Sequence, residues 1–202
     1  MTNPQSTDDD HDVVDILVAD HREFETLFGE LETRQGAPEH RRQLVDVVIA
    51  ELVRHSVAEE AYVYPIARKA LPDGDEIADR EIAEHADAER TMKELESVDP
   101  SDPRFDELLA HLTTTMRHHV REEENELFPR LRAATAREEL IEVADKVTTI
   151  KKIGPTRPHP GAPDHPLANR LLAPGTGLVD RLRDALSGRP TSVDELREEQ
   201  QR

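Results

Sequence analysis

Residues 118–129 of this 202-residue chain read HHVREEENELFP, and a related stretch at residues 55–65 reads HSVAEEAYVYP. Each contains a histidine four residues before a glutamate, and each ends in an aromatic residue followed by proline. Residues four apart on an α-helix point in nearly the same direction. Each stretch therefore presents an imidazole beside a carboxylate, which predicts either a solvated charged face or part of a binding site.

The two stretches belong to a longer internal repeat in which matching residues lie 64 positions apart. Several pairs that share one offset indicate a duplicated unit, and the features it keeps are largely residue types that bind metal. The offset relates His21 to His85, Leu31 to Leu95, His55 to His119, Glu59 to Glu123, and Pro65 to Pro129.

Helical periodicity organises the first two thirds of the sequence, and turn residues separate the periodic segments. Four long helices with short connections favour an all-α fold, an up-down antiparallel four-helix bundle. The helices are predicted over residues 13–33, 39–70, 76–97 and 104–133, and a shorter fifth helix over 136–152 should pack outside the bundle.

The chain divides by composition into a bundle with two flanking segments. We expect a disordered acidic N-terminus over residues 1–12, a bundle domain over 13–135 and the accessory helix over 136–152. Seven of the 14 prolines and five of the eight glycines fall between residues 154 and 190. This composition predicts that residues 153–202 form an extended or disordered tail, with one possible short helix over 178–186.

Composition excludes several functions. The net charge is −18, which disfavours binding to nucleic acid or to an anionic membrane. No stretch approaches the roughly 18 apolar residues of a membrane span, and the N-terminus lacks a signal-peptide pattern, so we expect a soluble cytoplasmic protein. Because the sequence has no cysteine, any metal must be held by nitrogen and oxygen ligands, for which ten histidines are available.

The repeated histidines and glutamates continue the apolar faces of their helices, so they should converge inside the bundle. A buried carboxylate costs several kcal/mol unless it is paired or bound to metal. The alternative is a set of core histidines that hydrogen-bond two buried glutamates. The metal interpretation is favoured, and its ligand set suits two iron ions, with manganese or zinc as competitors. The predicted ligands are His21, His55, Glu59, His85, His119 and Glu123.

This constellation resembles the hemerythrin-like HHE cation-binding domain over roughly residues 13–132, and the C-terminal extension resembles that of some actinobacterial members. The resemblance implies a four-helix bundle around a non-haem di-iron centre that is oxo- or hydroxo-bridged. It further implies that Glu59 and Glu123 bridge the two irons and that the histidines are terminal ligands. The expected function is the binding of dioxygen, nitric oxide or peroxide, with catalase-like peroxide decomposition as a candidate activity. The alternative is a non-enzymatic oxygen or iron sensor, or an iron-storage module, whose tail binds a protein partner.

One departure from the family concerns the ligand count. Members that carry oxygen reversibly have five histidines and two carboxylates, whereas this sequence offers four histidines and two glutamates. Tyr62 and Glu126 lie three residues beyond Glu59 and Glu123, so we expect them to be extra ligands or outer partners of the ligands. The neighbouring glutamates at positions 60 and 124 are predicted to lie on a solvated face.

Overall fold

The structure, a computed structural model, describes residues 11–33, 36–160 and 166–200, with side chains placed except at 166–174 and 199–200. Its described residues are helical and contain no strand. Two helices of the bundle are interrupted by one π-helical turn each, labelled π1 and π2. The bundle comprises α1 (Val13–Glu32), α2 (Pro38–Ala58), π1 (Glu59–Val63), α3 (Tyr64–Ala70), α4 (Gly74–Leu95), α5 (Pro103–Glu122), π2 (Glu123–Leu127) and α6 (Phe128–Ala134).

Local sequence explains where these helices begin. Asp12 caps α1 by accepting hydrogen bonds from the backbone N–H groups of Val14 and Asp15, and its carboxylate also pairs with Arg132 at 2.8 Å. The prediction of a disordered N-terminus over 1–12 therefore does not hold for Asp12, whose side chain is largely buried; residues 1–10 lie outside the described part. Proline at the first position of α2 and of α5 is already set to a helical backbone angle.

The bundle core consists of two apolar clusters that lie on either side of a polar layer. One cluster is built around Leu17, Tyr64 and Phe128, and the other around Phe28, Leu52 and Phe105. In every long helix the predicted metal ligand falls between residues of the first cluster and residues of the second. The polar layer is thus enclosed by hydrocarbon above and below, which excludes water from it.

The predicted fifth helix is present as α7 (Arg137–Ile153), which packs against α1, α2 and π1. It buries an apolar stripe of Leu140, Val143, Val147 and Ile150 against the bundle. Its last turn carries Lys151, whose ammonium group reaches a carboxylate of α1 described below. The helix therefore contributes a charge to the interior as well as apolar surface.

The C-terminal segment differs from the prediction of an extended or disordered tail. It contains α8 (Pro166–Ser187), which is much longer than the predicted helix 178–186, and α9 (Val193–Gln200). Buried Asp184 of α8 accepts a hydrogen bond from Thr156 at 2.5 Å, and Arg189 pairs with Asp46 of α2 at 3.2 Å. Composition suggested disorder because glycine and proline are frequent in this segment. Gly177, however, packs closely against the carbonyl groups of residues 153 and 154, where a side chain would not fit.

Within the described ranges, no helix has the length and apolar character needed to cross a membrane.

Candidate metal centre

The predicted ligands come together in the polar layer of the bundle. They are contributed by α1, α2, α4, α5 and the first residue of each π-helical turn, and all have side chains that are at least nine-tenths buried. Groups of these residues can place one ligand atom each within 4.8 Å of one another. The structure therefore brings together all six residues that the repeat singled out: His21, His55, Glu59, His85, His119 and Glu123.

The ligand atoms form two positions related by the internal repeat. In the first position the Nε2 atoms of His21 and His55 lie 3.3 Å apart, and in the second position those of His85 and His119 lie 3.1 Å apart. Glu59 faces both positions, because its Oε1 lies 3.1 Å from Nε2 of His55 and its Oε2 lies 3.5 Å from Nε2 of His85.

Glu123 occupies the equivalent place from the opposite helix. Its Oε2 lies 3.4 Å from Nε2 of His21 and 3.5 Å from Nε2 of His119. One carboxylate oxygen of Glu123 is therefore shared between the two positions, whereas Glu59 presents a separate oxygen to each.

Each ligand histidine has a carboxylate partner at its outward-facing Nδ1. Such a partner holds the Nδ1 proton, fixes the ring orientation and leaves the Nε2 lone pair for a metal ion. The contacts are Asp20 with His55 at 3.0 Å, Glu124 with His21 at 2.9 Å, Glu60 with His85 at 3.0 Å, and Glu84 with His119 at 3.2 Å.

These partners correct the prediction that Glu60 and Glu124 lie on a solvated face. The second glutamate of each Glu-Glu pair reaches across to the histidine of the other half, so Glu60 serves His85 and Glu124 serves His21. Asp20 and Glu84 were missed, although they also obey the 64-residue offset. Extending the offset to every acidic residue would have found all four.

The buried histidines and glutamates of the polar layer shift one another's pKa values when no metal is bound. Burial lowers the pKa of His55, but the carboxylates of Glu59 and Asp20 outweigh it and raise that pKa to about 9. Burial also lowers the pKa of His119, but the nearby carboxylates, Glu123 foremost, outweigh burial and raise that pKa well above its ordinary value. Burial raises the pKa of Glu123, but His119 and His21 hold it well below its usual range.

The donor set fits a pair of metal ions. Both oxygens of Glu59 and Oε2 of Glu123 are buried without a hydrogen-bond partner among the described residues. Carboxylate oxygens in that state are costly unless a cation compensates them. Four Nε2 atoms around two such carboxylates provide a nitrogen and oxygen set of the kind that binds iron or manganese in helical bundles.

The π-helical turns correct the prediction for Tyr62 and Glu126. A π-helical turn spaces its hydrogen bond over five residues, and here the N–H of Tyr64 bonds to the carbonyl of Glu59. Because of the extra residue, the next side chain that points into the bundle lies beyond Tyr62, which is partly buried against the first apolar cluster. In the second half, Glu126 is exposed. The inward residue is Tyr64, and an uninterrupted helical period cannot reveal it.

The hydroxyl group of Tyr64 lies in the polar layer, whereas Phe128, which occupies the matching position of the repeat, has no hydroxyl group. The Tyr64 hydroxyl donates to Oε1 of Glu123 at 3.2 Å and lies 3.2 Å from Nε2 of His85. Burial and the Glu123 carboxylate raise the pKa of Tyr64 well above its ordinary value, so the hydroxyl keeps its proton. Phe128 instead stacks on the ring of His21, with centroids 5.7 Å apart.

A cleft of about 350 Å³ leads from the surface towards the first position. It lies between α1 and the helix formed by α5 and π2, and its lining includes Phe28, Met116 and His21. The ion pair between Arg22 and Glu124 also lines this cleft. A small molecule in the cleft would therefore meet His21 beside a charged pair that borders the same opening.

Comparison with known proteins agrees with this geometry. A hemerythrin-like protein of Schizosaccharomyces pombe is 28% identical over 179 residues, which are 88% of each chain. A DNA nickase of Nostoc sp. is 27% identical over 144 residues, or 70% of this chain and 40% of that protein, so the present chain spans less than half of the nickase.

The fold also matches a solved structure. A hemerythrin HHE cation binding domain-containing protein from Mycobacterium kansasii superposes with a TM-score of 0.61 at 21% identity, covering 70% of this chain and 86% of the other. A family model described as hemerythrin HHE cation binding domain matches residues 12–131. The matched range takes in the whole polar layer and more than half of the chain, which therefore belongs to the hemerythrin HHE cation-binding family.

Proposed function

We propose that this protein holds two iron ions in the polar layer and binds dioxygen, nitric oxide or peroxide there. The observation that carries the proposal is that both buried oxygens of Glu59 and Oε2 of Glu123 lack a hydrogen-bond donor among the described residues and face four imidazole Nε2 atoms. Iron is preferred because imidazole and carboxylate ligands from the four helices of a bundle are typical of paired iron ions, with manganese and zinc as competitors. A pair of irons supplies redox chemistry with a small ligand.

The residues of the bundle have separate tasks in this proposal. Glu59 and Glu123 span the two positions, the four histidines are terminal ligands, and the Nδ1 carboxylates orient the imidazoles. Tyr64 supplies a protonated hydroxyl next to the shared carboxylate. The cleft at His21 admits a ligand, and the two apolar clusters exclude bulk water.

Metal analysis of the purified full-length protein tests the proposal. We expect about two irons per chain and near-ultraviolet absorption of the ferric pair. His119→Ala should abolish the absorption of the ferric pair and lower the iron content, whereas the control His118→Ala should leave both unchanged, because His118 is exposed on the same turn. A metal-free protein that is as stable as the same protein supplied with iron would contradict the proposal.

Peroxide addition separates an enzyme from a binding protein. An enzyme that decomposes peroxide should evolve oxygen over many turnovers per iron pair. A binding protein should instead show one stoichiometric spectral change and no sustained gas evolution. The cleft admits a small ligand in either case, so the turnover measurement decides between them.

A sensor whose tail recruits a protein partner is the second candidate, and α8 favours it. This helix docks through its buried aspartates and leaves Leu178, Leu182 and Leu186 between 62% and 82% exposed on its outer side. Contiguous exposed leucines are typical of interaction surfaces. Replacing Leu182 and Leu186 together by serine should abolish partner capture and leave the iron spectrum unchanged. Unchanged capture would exclude this role for the helix.

A further inference from the structure

The two metal positions differ in the charges that surround them, although the repeat makes their ligands alike. Many positions of the repeat carry different residues in the two halves, and some of them lie close to the predicted ligands. Leu17 corresponds to Glu81, Asp20 corresponds to Glu84, and Arg22 corresponds to Ala86. In the part of the chain that the structure describes, α7 packs mainly on the first half, against α1, α2 and π1.

Basic side chains neutralise the outer carboxylates of the first position. Asp20, the partner of His55, accepts from Lys151 of α7 at 2.5 Å. Glu124, the partner of His21, pairs with Arg22 at 2.6 Å. Each Nδ1 carboxylate of this position therefore has a cation of its own, and Lys151 is the more effective of the two because its side chain is mostly buried.

The second position has an added buried carboxylate. Glu81 is fully buried, and its Oε2 lies 2.9 Å from Nδ1 of His119, which also donates to Glu84. Arg80 offsets the charge of Glu81 by donating to its Oε1 at 2.9 Å. Among the described residues no lysine or arginine forms an ion pair with Glu84, in contrast to the pairing of Asp20 with Lys151.

These charged residues leave the surroundings of the second metal position more negative than those of the first. Lys151, the cation beside Asp20, has no counterpart at Glu84, while the added Glu81 and Arg80 cancel each other in net charge. Glu81 lies next to the imidazole and is fully buried, whereas Arg80 is partly exposed, so water screens the arginine more. A more negative surrounding strengthens cation binding and makes the imidazole a better donor.

We propose that the two positions fill in sequence, the position of His85 and His119 first and the position of His21 and His55 second. The inference rests on the proposed function, because it concerns the same pair of metal ions. Changes in residues that surround metal ligands alter affinity by about 10- to 100-fold. We therefore expect the two binding steps to differ by at least about tenfold in dissociation constant.

Calorimetric titration of the metal-free full-length protein with cobalt(II) tests this order, and the visible spectrum of cobalt reports each step. Wild type should show two steps, the tighter of which is lost in His119→Ala and retained in His55→Ala. Circular dichroism checks that both variants remain helical. Two equal steps, or loss of the tighter step in His55→Ala instead, would overturn the inference while leaving the proposed function intact. No cobalt binding in wild type would overturn both.

Charge variants provide a second readout with opposite directions. Glu81→Gln should weaken the tighter step by about tenfold, because it removes a carboxylate beside His119. Lys151→Gln should instead tighten the weaker step, because it frees the carboxylate of Asp20. Lys152→Gln is the matched control, since Lys152 is the exposed neighbour of Lys151. A loss of affinity in both Glu81→Gln and Lys151→Gln would indicate a structural effect and contradict the proposal.

Discussion

At the scale of single residues, a hydroxyl group distinguishes Tyr64 from Phe128, the two aromatic residues that border the polar layer. Tyr64 and Phe128 occupy the same place in the repeat, directly before the repeated proline. The tyrosine donates to Glu123 and approaches His85, while the phenylalanine stacks on His21. One end of the layer therefore has a proton donor at the shared carboxylate, and the other end has only an apolar cover.

Tyr64→Phe should lower the free energy of unfolding of the metal-free protein by about 1–2 kcal/mol, because buried Glu123 loses a hydrogen-bond donor. It should also shift the absorption of the iron-loaded protein. Urea denaturation and the near-ultraviolet spectrum measure the two effects. An unchanged free energy of unfolding together with an unchanged spectrum in Tyr64→Phe would show that the Tyr64 hydroxyl has no special role.

At the scale of helices, sequence periodicity succeeds where a helix is regular and fails where its period changes. None of the six predicted metal ligands lies beyond a π-helical turn of its own helix, so the ordinary α-helical period applies to them and predicts their direction. Tyr64 lies beyond such a turn, and the extra residue displaces every later position by about 100°. For that reason the prediction selected Tyr62 and Glu126, which an uninterrupted helix would have turned inward.

The C-terminal helices could not be predicted for a different reason. Glycine and proline content measures the tendency of an isolated segment, whereas α8 is held by long-range contacts such as those of Asp184 with Thr156 and of Arg189 with Asp46. Gly177 adds a close approach to the carbonyl groups of Ile153 and Gly154, where a Cβ atom would collide with backbone. Contacts of this kind join residues far apart in sequence and leave no local pattern.

Gly177→Ala should therefore detach α8 from the end of α7, while iron content stays unchanged. Limited proteolysis should then cut the backbone at sites beyond Ile153 much faster than in wild type. Gly175→Ala is a matched control, because a Cβ atom at that exposed helical position meets no atom within 4 Å. The control should be neutral or more stable by up to about 1 kcal/mol. Equal protease resistance of the two variants would argue against close packing at Gly177.

At the scale of the whole molecule, imidazoles of the polar layer are protonated when no metal is bound, and a metal ion would have to displace those protons. The pKa of His55 is raised from 6.5 to about 9, so this imidazole is protonated at neutral pH without metal. Because the folded-state pKa lies above the unfolded one, protonated His55 stabilises the metal-free fold fully below pH 6.5. That contribution is lost as the pH rises through about 9.

Metal binding near pH 7 should consequently release at least one proton per protein molecule, because Nε2 must be bare to bind a metal. Titrations in buffers of different ionisation enthalpy measure the number. The released count should fall as the pH rises past about 9, where His55 is already neutral, and His119, whose pKa is also raised, accounts for the protons still released there. A count of zero at pH 7 would mean that the layer holds its imidazoles neutral without metal.

The matching positions of the two π-helical turns have a consequence for the history of the protein. π1 begins at Glu59 and π2 at Glu123, so the turns obey the same offset as the metal ligands. Duplication of one unit that already contained the widened turn accounts for this match. Two copies of that unit would form a symmetric dimer with two identical metal positions. Glu81, Arg22, Tyr64 and the Lys151 contact are departures from that symmetry, which fusion into one polypeptide allowed to accumulate in each half separately.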